Sequence, residues 1–181
     1  VIFRQLVVLF FIGLLSECIW AKDIQLNVSY HEGVYTLEMN LLVSGDSRFI
    51  HQALTDYNHL EAINPAIQKS ELLGEAADGA KLVSTKIKGC VLFFCKTMQR
   101  VEKVYDRGNG VIESVILPER SDFSFGESVW IISPEGDHSN IHYRARLKPD
   151  FSVLPGIGPV LVKHVMRREL HRTAEVLNHA K

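Results

Sequence analysis

Beyond its first two dozen residues this chain has only two cysteines, no internal repeat, no low-complexity tract and no surplus of charge. Each lack removes a class of function. Lys and Arg together number 20 against 21 Asp and Glu, a formal net charge of −1, so no global field gathers DNA or RNA. Without a Pro/Gly/Ser-rich linker or a repeat, the chain does not read as a string of modules. Also missing are HExxH, a Ser-His-Asp order, a glycine-rich phosphate loop and a carboxylate pair at catalytic spacing, so neither a cofactor nor a catalytic centre is signalled. Two cysteines with no nearby His or second pair do not make a metal site.

What is present begins with Arg4 and the unbroken apolar run Leu6 to Leu15. A run of about ten residues suits a secretory signal and falls short of the roughly 20 that span a bilayer as a helix. Ala21 is the small residue at the expected cleavage point, so residues 1–21 read as a signal peptide and 22–181 as one domain. Export is therefore expected, most simply to the periplasm, with an uncleaved inner-membrane anchor as the competing reading. Taking residues 1–21 from 181 leaves 160, the size of one domain with a substantial core.

In an oxidising compartment Cys90 and Cys95 are a disulfide candidate. On a straight strand they would lie roughly 16 Å apart on opposite faces, so a bridge demands a bend or bulge between them; two buried free thiols are the alternative.

Periodicity predicts strands at 24–30 and 34–43, the second alternating Tyr35, Leu37, Met39, Leu41 and Val43 on one face. Ser44 is the expected N-cap of a helix over 46–54, and a further helical turn at 59–63 stops at Asn64-Pro65. Strands are expected again at 67–74, 81–88, 91–105, 111–117, 128–133 and 139–148. The last alternates Ile141, Tyr143, Ala145 and Leu147 with His142, Arg144, Arg146 and Lys148, so one face sees a core and the other water. After a Pro/Gly-punctuated exit comes a helix of about twenty residues with the stripe Leu161, Val162, Val165, Met166, Leu170, Ala174 and Leu177. Such a helix must lie on something apolar, and the antiparallel sheet is available: an α+β layer structure.

This order of elements resembles the helix-grip fold of the START-like, or SRPBCC, superfamily, with its polyketide cyclase/dehydrase, lipid-transport and coenzyme Q-binding members. Local strings agree: Ala53 to Leu60 with Ile63-Asn64-Pro65, Ser121-Asp122-Phe123 through Trp130, Ile141-His142-Tyr143 and Leu147 to Phe151. The resemblance implies a curved sheet gripping the long C-terminal helix, with an apolar pocket between them. Its expected lining is Val162, Val165 and Met166 from the helix, Phe93 or Phe94, Trp130 and Tyr143 from the sheet, and Tyr57, Leu60 and Ile63 from the short helices. On the strand around Trp130 the run Val129 to Ile132 is apolar throughout, which leaves its inward parity open. Convergent polar groups look sparse; His164 and His171 form no known metal or base pattern.

The expected function is that of an exported carrier for a lipid-like or isoprenoid-like molecule, without chemistry. An exported cyclase- or hydrolase-type enzyme using the same pocket and an interaction module with a filled core are the alternatives. Lys163, Arg167, Arg168 and Arg172 give the last helix a basic flank that suits an anionic membrane surface.

Overall fold

A computed structural model describes residues 25–91, 94–151 and 158–179. The expected signal segment lies outside these residues, and so does Phe93. Strands β1 (Gln25–His31) and β2 (Val34–Val43) are followed by helix α1 (Ser47–Thr55) and a 3-10 turn (Leu60–Ala62). Then come β3 (Ile67–Glu75), β4 (Lys81–Val91), β5 (Phe94–Gly108), β6 (Val111–Ile116), a 3-10 turn (Pro118–Arg120), β7 (Phe123–Glu135), β8 (His138–Pro149) and helix α2 (Gly158–His179).

All eight strands join one antiparallel sheet in the order β1-β2-β8-β7-β6-β5-β4-β3. After β2 the chain leaves for the far edge through α1 and the first 3-10 turn, then meanders back until β8 closes beside β2. The short helices therefore travel with the one long crossover. In this α+β arrangement α2 lies against β1, β2 and β4, and α1 against β7 and β8.

The tight turns follow from residues that tolerate positive φ. Glu32-Gly33 (φ 50° and 85°) joins β1 to β2, and Asn109-Gly110 (51° and 78°) joins β5 to β6, the pairing that right-twisted hairpins favour. A Cβ at Gly110 would stand 2.1 Å from the Ile132 carbonyl oxygen, and that carbonyl's own residue donates its N–H to Gly110 O. No side chain fits this β6–β7 approach.

Two expectations are corrected here. Helix α1 is capped by Asp46 rather than Ser44: the helix starts one residue after Asp46, whose carboxylate accepts from Arg48 N at 2.7 Å. The chain between Cys90 and Cys95 is not a straight strand. Instead, β4 ends at Val91, β5 begins at Phe94, and Cys90 faces Cys95 directly across the ladder. Their Cα atoms are 4.0 Å apart and the sulfurs are bonded, so the free-thiol alternative falls.

The most deeply buried large apolar side chains of the core cluster include Leu37, Met39 and Val43 from β2, Ile141 from β8, Ile50 from α1 and Leu177 from α2, all at most 1% exposed. Full burial of each such aliphatic side chain contributes about 1.5–3 kcal/mol, and these six come from four elements. Ser139 ties the loop before α1 to this knot by donating to Gly45 O at 2.6 Å.

Candidate functional site

Strand register settles the parity that sequence left open. Trp130 pairs with Tyr143 and with Ile112, and Ser128 with Ala145 and Ser114. Since Ile112, Ala145 and Tyr143 belong to the buried core, Ser128, Trp130 and Ile132 face the helix side. Val129 and Ile131 take the other face, where Ile131 is exposed. The Trp130 and Tyr143 rings lie 4.2 Å apart between centroids, tilted by 35°.

Beside this ring pair runs a chain of polar groups that reading the sequence missed. Arg100 Nε stands 2.9 Å from Glu102 Oε2, although the contact lacks hydrogen-bond alignment. Glu102 Oε1 accepts the Ser114 hydroxyl at 2.7 Å, and Ser114 Oγ lies 2.8 Å from Ser128 Oγ. Tyr143 stands beside this line, two residues along β8 from Ala145, which pairs with Ser128. The Glu102 side chain is 8% exposed and that of Arg100 21%, so a carboxylate is held inside by one cation and one hydroxyl. Buried charges survive only when paired and hydrogen-bonded, and here the pairing is met by neighbours on the same sheet face.

Burial pushes the Tyr143 phenol above its ordinary pKa; Arg100's charge and the Ser128 bond pull the other way, while Glu102's charge adds to the rise. Its hydroxyl stays protonated at neutral pH and can donate.

The short-helix residues Tyr57, Leu60 and Ile63 are partly buried against the core cluster, as are Trp130, Val162 and Met166. Tyr57's pKa is pushed up to about 12, first by burial and then by Asp106. The same Asp106 lies 3.1 Å from His51 Nε2 and so clips α1 onto β5. Ser70 fastens the 3-10 turn to β3, accepting from Leu60 N at 2.9 Å and donating to Glu61 Oε2 at 2.7 Å. Val165 is half-buried but does not pack on the core cluster with Val162 and Met166. Phe94 is described only in its backbone, so what its side chain touches lies outside the described residues.

Along α2 the burial is graded. Leu170, Ala174 and Leu177 are buried, whereas Leu161, Val162, Val165 and Met166 are only half-buried. Of the four expected basic residues, Lys163 and Arg167 are exposed, while Arg168 and Arg172 both pair with the buried Glu169, at 2.9 and 3.5 Å.

No family model matches the chain, and no curated protein matches it significantly. Solved structures do. A STAR-related lipid transfer protein from Xanthomonas axonopodis superposes with a TM-score of 0.63 at 15% identity, over 86% of this chain and 99% of that one. A START superfamily protein from Mycobacterium smegmatis gives 0.61 at 19%, over 79% and 94%. An aromatase/cyclase from a Streptomyces species gives 0.61 at 15%, over 80% and 92%. With these neighbours, the eight-stranded sheet and its long C-terminal helix are the START-like helix-grip fold, a fold that hosts lipid transfer and cyclase proteins alike.

Proposed function

We propose that this protein is an exported carrier that holds a lipid-like or isoprenoid-like molecule, coenzyme Q being one of that class, between the sheet and the N-terminal half of α2. The observation that carries the reading is the pairing of a half-buried apolar helix face with a sheet face bearing Trp130, Tyr143 and the Arg100–Glu102–Ser114–Ser128 chain. Binding pockets combine mostly apolar walls with a few placed polar groups. Arg100 and Glu102 cancel one another, and the three hydroxyls are neutral. A ligand with a hydroxyl or carbonyl end leaves that balance intact, whereas an ionised head would add an uncompensated charge. The apolar run at residues 6–15 supports export to the periplasm, and exposed Lys163 and Arg167 support a contact of α2 with a membrane surface.

A cyclase- or hydrolase-type enzyme is the second reading, favoured by one observation: Ser128 and Ser114 form a line of hydroxyls ending on the Glu102 carboxylate, with Tyr143 beside it. Native mass spectrometry with organic extraction, on protein recovered from the compartment to which it is delivered, separates the two. A carrier retains a stoichiometric hydrophobic adduct and returns it unchanged from extract to extract. Release of a chemically altered compound supports the enzyme, and a clean, folded apo protein that takes up no extracted lipid overturns both.

A further inference from the structure

The sheet ends in two edge strands, β1 and β3, and they are built differently. On β3 the register with β4 breaks between Ile67 and Lys69 and again between Leu72 and Gly74. Lys69 and Glu71 place a charged pair on it, and Asn58 Oδ1 accepts the Leu72 N–H at 2.9 Å. Bulges, charges and a covering segment are the usual means of keeping an edge from pairing with another chain. Strand β1 has none of them. From Gln25 to His31 there is no Pro, Lys, Arg, Asp or Glu, and the register with β2 is unbroken from Gln25–Asn40 to His31–Val34.

That register fixes which backbone groups are free. The two-residue turn Glu32-Gly33 closes on the hydrogen-bonded pair His31–Val34, and such pairs alternate along an antiparallel ladder. Residues 25, 27, 29 and 31 therefore turn their N–H and C=O towards β2, while Leu26, Val28 and Tyr30 turn theirs outward. The far side of β2 agrees. The turn at Gly136-Asp137 closes on Glu135–His138, so β8 bonds to the odd-numbered residues of β2 and leaves the even-numbered ones for β1. Among the described residues β1 has no neighbour on its outward side.

A second β1 fits this row. Two copies running antiparallel about a two-fold axis at Val28 set Val28 against Val28 and Leu26 against Tyr30. Each of these facing pairs exchanges both hydrogen bonds, so every outward N–H and C=O of the three residues is satisfied. On the solvent face Asn27 meets Ser29 and Gln25 meets His31, which brings hydrogen-bonding side chains together and opposes no like charges. On the core face the exposed Tyr30 of one copy meets Leu26 of the other.

We propose that β1 pairs with β1 of a second copy of this chain, giving a two-fold dimer with one continuous sheet across it. No residue of the helix-side site takes part, so the pairing is independent of whether the protein carries a ligand.

The test is sedimentation equilibrium combined with amide hydrogen exchange, on the protein as isolated and across a wide range of concentration. The expected result is a monomer–dimer equilibrium in which the amides of Leu26, Val28 and Tyr30 exchange several-fold more slowly as the dimer fills. The amides of Asn27 and Ser29, already bonded to β2, should not respond. Val28→Pro removes only an outward N–H, which an edge strand tolerates, and should weaken the dimer about tenfold or more while its circular dichroism stays as in the parent. Should the proline disturb the fold, the double variant Asn27→Lys/Ser29→Lys weakens the dimer from the exposed face by opposing like charges. Mixing it with Asn27→Glu/Ser29→Glu should restore association as a heterodimer, a rescue that only β1 against β1 in this register gives. A monomer at every concentration, exchange at the three amides that ignores concentration, or a dimer equally strong in the folded variants overturns the proposal.

Discussion

The two halves of helix α2 are built on the same heptad-like stripe and end in different environments. Towards the C-terminus, Leu170, Ala174 and Leu177 are buried, and Leu177 belongs to a knot with Ile50, Leu37, Met39, Val43 and Ile141. Towards the N-terminus, Val162, Val165 and Met166 are half-buried, and the sheet face offers Arg100, Glu102, Ser114 and Ser128 among its apolar residues. The C-terminal half packs apolar side chains into the core and also buries Glu169 with Arg168 and Arg172 beside it. The sheet keeps the Arg100–Glu102 pair inside, which is a poor way to gain stability.

Several substitutions break this comparison. Glu102→Ala strands Arg100 without its partner and should cost about 3 kcal/mol in urea unfolding. Leu177→Ala, in the closed half, should cost a similar or slightly smaller amount, about 2–4 kcal/mol. If Met166→Ala costs as much as Leu177→Ala, the halves are equivalent and the contrast fails; less than about 1 kcal/mol is expected, because a half-buried side chain loses less on truncation.

Cys90→Ser with Cys95→Ser opens a very short loop and should lower stability by about 2 kcal/mol in the chain-entropy account, with the helix-side site left intact. Equal loss of bound lipid in that variant would place the β4–β5 turn and the site in one unit. Val165→Arg sharpens the contrast from the other side. It puts a charge on the half-buried helix face, so bound hydrophobic ligand should be lost while melting temperature changes little. Retention of ligand by the folded variant would move the site away from this face.

The smallest effect is alkaline. Tyr57 keeps its proton more tightly when folded, with its pKa raised from 10.0 to about 12. Its contribution is therefore complete below pH 10 and disappears as pH climbs towards 12. Thermal melts of Tyr57→Phe should show a shallower decline across that window than the parent, and parallel curves would mean the phenol is not protected as described.

Much of this could be read from residues alone, and where it could not the reason is local. Strand β2 begins and ends where its alternation does, and β8 is misplaced by a single residue at each end, because one face of each is buried against the core. Strand β7 is longer than its apolar stretch predicts, since the ladder with β8 carries Ser124, Gly126 and Pro134 along without any periodic pattern. The β4–β5 turn escaped notice because the residues between its cysteines are apolar, with no Gly, Asn or Asp to mark it. Arg100 and Glu102 escaped for a related reason. Val101 and Val104 are both buried yet sit on opposite faces of β5, so the strand has no clean parity to reveal which of its charges point inward. The aromatic pair was legible as residues and only the register made it a pair.

Amide hydrogen exchange along α2, on protein as isolated and after lipid extraction, tests the central claim most directly. The account predicts that residues 170–177 stay strongly protected in both states, while residues 161–167 exchange faster and lose further protection once the ligand is removed. Uniform protection along the helix, unaltered by extraction, would contradict it.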